Sequence, residues 1–153
     1  MEDWLYSLYK KYKLYYCVEC GKCVAVCPMQ DIFRKFDYEI SPRGIIKKAA
    51  LNLDILHDKA IWFCQECTAC TETCPAGVEY AGFISSLREI AIERGIVGSC
   101  SFCARCGAYY LPTPTLDNMK GVLKEKHWSN EYLALCPRCR RYELLKNKTG
   151  AVR

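Results

Sequence analysis

The sequence is short of most of what enzymes are built around. Its 153 residues include two histidines, His57 and His127, each isolated from the cysteine-rich blocks. No Ser/His/Asp set can be assembled, and Asp and Glu are scattered without forming a paired-carboxylate site. There is no G-x-G-x-x-G turn and no phosphate-cradling glycine loop, so the chain is expected to hold no flavin or nicotinamide of its own. No apolar run approaches the ~18 residues that a membrane-spanning helix requires. The opening segment MEDWLYSLYKKYKLYY begins acidic and never runs apolar long enough to read as a secretory leader. Low-complexity tracts are missing as well, and 51% apolar with 25% charged residues is the composition of a folded chain.

Net positive charge is missing from most of the chain. The net charge is +5, and residues 138–153 carry all of it, with six Lys or Arg against Glu143. The remainder sums to zero. A nucleic-acid face spread over a fold is therefore not expected, and residues 146–153 read as a basic tail.

What is present in excess is cysteine, thirteen residues in all. The count is odd, and cysteines two residues apart pair poorly with each other. Thiolates serving as metal ligands in a reducing cytoplasm account for them better than a disulfide scaffold. Eight lie in two blocks, CVECGKCVAVCP (17–28) and CQECTACTETCP (64–75), which repeat the same spacing 47 residues apart. A C-x2-C-x2-C run wraps three thiolates around one corner of an iron–sulfur cubane. A fourth cysteine after three residues, followed by proline, completes the bacterial ferredoxin run, and in two-cluster proteins that fourth cysteine serves the other cluster. The expected ligands are Cys17, Cys20, Cys23 and Cys74 for one [4Fe–4S] cluster, and Cys64, Cys67, Cys70 and Cys27 for the second.

The remaining cysteines are Cys100, Cys103, Cys106, Cys136 and Cys139. Two C-x2-C knuckles about thirty residues apart suit a zinc ribbon with ligands Cys103, Cys106, Cys136 and Cys139. Two alternatives stay open: a third iron–sulfur centre using Cys100 in the 100–106 run, and a single iron bound as in rubredoxin.

Apolar periodicity predicts an amphipathic helix over 2–16 (Trp4, Leu5, Leu8, Tyr12, Tyr15) and a helical turn or two after Pro28. It also predicts a helix begun by Ser41 and Pro42, helix through LDILHDKAIWFC, and a helix within 76–96 closed by Gly95. After residue 98, GAYYLPTP suggests a short strand and turn, with Pro112 and Pro114 excluding helix there; LDNMKGVLKEKHW suggests a helix weakened by Gly121. The fold class expected is mainly α: an α-helical ferredoxin domain over 1–97, a cysteine-rich metal-binding module over 98–145, then the tail.

The succession of CVECGKC…CP, SPRG, WFCQECTACTETCP, GVEY and LREIA resembles the C subunit of heterodisulfide reductase over roughly residues 10–95. The likeness extends to heterodisulfide reductase-like complexes of sulfur oxidation and to quinone-interacting oxidoreductase subunits. It implies a non-catalytic electron-transfer component, relaying between a flavin-containing iron–sulfur subunit and a disulfide-active subunit. The five later cysteines depart from that pattern. Two rival readings are a free-standing two-cluster ferredoxin and an iron–sulfur/zinc regulatory binding protein.

Overall fold

Ser41 and Pro42 begin the helix around which the N-terminal part is organised. The Ser41 hydroxyl accepts from the Gly44 amide at 3.1 Å and donates to the Tyr38 carbonyl at 2.6 Å. Pro42 occupies the first turn, where its missing N–H costs nothing. The computed structural model describes residues 3–33 and 36–149, the side chains of 147–149 excepted. It divides into two compact units, residues 1–97 and 98–153. The fold is mainly α.

In the first unit, α1 (Asp3–Lys11) and α4 (Pro42–Ala50) pack together with α6 (Tyr80–Glu93). Leu5, Ile45, Ile61, Phe83, Ile84 and Leu87 fill the space between them. Short helices α2 (Lys22–Ala25), α3 (Met29–Ile32) and α5 (Ala69–Glu72) follow cysteines, and α2 lies against both α4 and α5. A Cβ on Gly44 would stand 2.0 Å from the Tyr38 carbonyl oxygen, so only glycine lets α4 approach the 3-10 turn Tyr38–Ile40. At the end of α6 the Gly95 amide donates to Ile92 and the Ile96 amide to Ala91, with Gly95 at φ 76°. This is the Schellman closure.

Two expectations for this unit need correcting. The first helix stops at Lys11, because Lys13 turns left-handed (φ 59°) and leads into a 3-10 turn at Leu14–Tyr16; Glu2 lies outside the described residues. The segment LDILHDKAIWFC is not a helix apart from a 3-10 turn at Lys59–Trp62. Asp54 accepts from the His57 amide and Asp58 from the Ala60 amide at 2.8 Å. Aspartates that bond their own backbone in this way compete with helical pairing.

The second unit opens with β1 (Cys100–Phe102) paired antiparallel to β2 (Tyr109–Pro112), the register slipping between Ser101 and Phe102. Helix α7 (Thr113–Glu125), a 3-10 turn (Glu131–Ala134) and α8 (Pro137–Thr149) follow. Pro112 and Pro114 do not exclude helix: they flank the first residue of α7, Pro112 as its cap and Pro114 within its first turn. Gly121 sits inside α7 without ending it. Lys146, assigned to the tail from sequence, lies in α8, and residues 150–153 of that tail lie outside the described residues.

Candidate metal centres

The two cysteine blocks have the same backbone. Glu19 (φ 53°) and Gly21 (φ 79°) in the first occupy the places of Glu66 (φ 52°) and Thr68 (φ 65°) in the second, and α2 occupies the place of α5. Such single left-handed residues turn successive amides toward one side of a loop, the arrangement that lines anion-binding concavities. Thr68 does this without glycine's freedom, at a cost on the order of 1 kcal/mol.

Each loop is anchored through its glutamate. Glu19 meets Arg43 at 3.1 Å and Lys47 at 2.8 Å, both from α4, and these hydrogen bonds, Lys47's first, hold its carboxyl below the usual range. Glu66 meets Arg88 of α6 at 2.6 Å. Arg88 is 4% exposed and also donates to the Ile61 carbonyl (2.9 and 2.7 Å) and the Cys64 carbonyl (2.5 Å).

Two recesses lie against these loops. Cys17, Cys20, Cys23 and Cys74 line the first. Cys27, Cys64, Cys67 and Cys70 line the second. Each therefore gathers three cysteines of one block and the last cysteine of the other. Cys70 also reaches the wall of the first, and Tyr80 borders both. Cys20 and Cys67 are exposed, whereas Cys27 and Cys70 are buried.

Burial raises the Cys64 thiol to about 11 and the Cys70 thiol to about 12, and it also raises Cys23 and Cys27. Sulfurs so placed serve as thiolates when a cationic metal core compensates their charge. A second observation concerns polar satisfaction. Among the described residues, two buried side-chain polar atoms have no hydrogen-bond partner in the protein, Arg43 Nε and Tyr80 Oη. Both residues border the first recess. Convergent thiols with unmet donors beside them are the donor chemistry of iron–sulfur ligation. Tyr80 is 2% exposed, and burial holds its hydroxyl well above the usual phenol range.

The second unit brings together Cys103, Cys106, Cys136 and Cys139, with all four sulfurs within 4.8 Å of one another. Cys106 and Cys136 stand 3.8 Å apart. Four sulfurs tetrahedrally placed around zinc at ~2.3 Å are separated by about 3.8 Å, so the set fits that ion. Amides of Cys136 (3.3 Å) and Cys139 (3.4 Å) point at Cys103 Sγ and Cys136 Sγ. Amide donation from Cys136, then Cys106, lowers the Cys103 thiol to about 6, while Cys139, desolvated among the other sulfurs, is raised to about 12. Cys100, on β1, is outside this group. His57 pairs with Asp54 at 2.8 Å, and neither it nor His127 borders a cysteine recess.

Residues 13–78 match the family model of the 4Fe-4S dicluster domain. The C subunit of ferredoxin:CoB-CoM heterodisulfide reductase from Methanosarcina acetivorans is 38% identical over 81 residues. Over these stretches the chain is similar to a 4Fe-4S dicluster domain and to that subunit of heterodisulfide reductase. The alignment takes in 52% of this chain and 31% of that relative, so the chain spans about a third of the relative's length. Sequence reasoning pointed to the cysteines that line these recesses but missed Tyr80, Arg43 and Arg88. The equivalence of Glu19 and Glu66 in the two blocks was the available signal for the arginines. Nothing in the local pattern distinguished Tyr80 from any other core aromatic.

Proposed function

We propose that the chain is the electron-transfer component of a heterodisulfide reductase-like complex, holding two [4Fe–4S] clusters and one structural zinc. The observation that carries this reading is the crossed lining of the two recesses, three cysteines from one block with the fourth from the other. In the first, Cys17, Cys20, Cys23 and Cys74 serve as ligands; in the second, Cys64, Cys67, Cys70 and Cys27. The zinc ligands are Cys103, Cys106, Cys136 and Cys139, which assigns Cys100 no metal role.

When bound, each cluster accepts and releases one electron at a time. The chain's own residues do the rest. Exposed Cys20 and Cys67 place one ligand of each set at the surface, where a partner can approach. Arg43 and Lys47 together outweigh Glu19 by one positive charge beside the first loop, whereas the charge of Arg88 beside the second is matched by Glu66. No bond in the chain forms or breaks as an electron passes. The partners in this reading are a flavin-containing iron–sulfur subunit and a disulfide-active subunit, as the relationship to heterodisulfide reductase suggests. Among the described residues no helix is long and apolar enough to cross a membrane.

The test is anaerobic purification of the full chain with iron, sulfide and zinc quantified, followed by co-purification with candidate partners. About eight irons and one zinc per chain are expected. About twelve irons without zinc would overturn the C-terminal assignment. A monomer that carries all its iron and associates with no partner would overturn the complex.

A further inference from the structure

We infer that the Tyr80 hydroxyl donates a hydrogen bond to a sulfide of a cluster bound in the recesses it borders, and that this bond sets how readily the centres accept an electron. The inference rests on the two-cluster reading above. Tyr80 opens α6 and is 2% exposed. It borders both recesses, a position shared among the cysteines only by Cys70. Its hydroxyl oxygen is buried and finds no partner in the protein. A buried hydroxyl left unpaired is costly, so such groups normally face an acceptor.

The surroundings decide which acceptor. Both carboxylates in the linings, Glu19 and Glu66, are already engaged by Arg43, Lys47 and Arg88. No cysteine sulfur pairs with the hydroxyl either, so the acceptor left is sulfide of a cluster bound in these recesses. Tyr12 provides the contrast: its hydroxyl pairs with Ser86 Oγ at 2.6 Å, in neither recess. Tyrosine costs the core a polar atom that phenylalanine would spare it, and the pairing with sulfur explains that choice.

The sign of the effect follows from charge. Reduction adds one electron and makes sulfur a better acceptor, so a donor stabilises the reduced state more than the oxidised one. Removing the hydroxyl makes reduction harder.

The experiment uses the full chain, purified anaerobically, as wild type, Tyr80→Phe, Tyr80→Met and Tyr12→Phe. Iron and sulfide are assayed, and midpoint potentials are measured by titration followed by electron paramagnetic resonance. With iron content equal to wild type, Tyr80→Phe is expected to lower the reduction equilibrium constant about tenfold for at least one centre, ~59 mV more negative for one electron. Tyr80→Met should shift in the same direction, and Tyr12→Phe should leave the potentials in place. Unmoved potentials in fully loaded Tyr80 variants would overturn the inference. Loss of iron from both Tyr80 variants beside a loaded wild type would also overturn it, making Tyr80 a packing residue. A wild type lacking about eight irons is a different failure, that of the two-cluster reading itself, and the inference falls with it.

Discussion

At the scale of single residues, the distinctive feature is that each block's last cysteine faces the recess lined by the other block's first three. Paired substitutions test this directly. Cys17→Ser with Cys74→Ser removes two ligands of one proposed cluster, so about four irons should remain. Cys17→Ser with Cys27→Ser, both within one block, should damage both centres and leave distinctly less iron. If each block ligated its own cluster, the two results would exchange. The two cysteine blocks were legible because thiolate spacing is a local property of the chain. The arginines were not, because their role depends on what the fold brings beside them. Arg88 lies on a helix face with Ile84, Leu87 and Ala91, a pattern that reads as a polar interruption of an apolar stripe. In the structure it is buried, with its charge matched by Glu66 and its other donors by two carbonyls.

At the scale of elements, the turn leading into α4 combines a cap with a close approach. Ser41→Ala removes the hydroxyl that accepts from Gly44 and should cost about 1 kcal/mol. Gly44→Ala should cost more, since the added Cβ meets a backbone oxygen, which cannot rotate away as a side-chain tip can. Thermal melting of the iron-loaded protein checks the order: Ser41→Ala melts about 4–8 °C below wild type and Gly44→Ala lower still. Both start signals of α4, Ser41 and Pro42, were visible in the sequence, as was the Gly95 closure of α6. The segment from Leu53 to Cys64 was misread because its apolar spacing suits a helix. Asp54 and Asp58 capture neighbouring amides, a competition that periodicity does not register. Pro114 was misread for the opposite reason. A proline breaks a helix interior and is tolerated in a first turn, so its effect depends on where the helix begins.

At the scale of the whole molecule, the two units hold separate sets of cysteines. A zinc chelator should therefore strip the proposed zinc from the second unit while the visible absorption of the proposed iron–sulfur centres persists. Zinc retention should also weaken as the pH falls from 8 toward 5. Bound sulfurs are deprotonated, so protons compete for them, and even Cys103, lowered to about 6, is recaptured at the acid end of that range. Titration of released zinc with a colorimetric indicator across that range reads both effects. The mainly α architecture was readable in advance, because a helical, charged segment rather than strands joins the two blocks. The 47-residue interval between the equivalent loops also has a consequence in time. A ribosome adding roughly 5–20 residues per second takes about 2 to 10 s to travel from one block to the other. During that interval the first three thiols are already made and their fourth companion is not. Under the proposed crossed ligation, iron supplied early would meet an unfinished pocket.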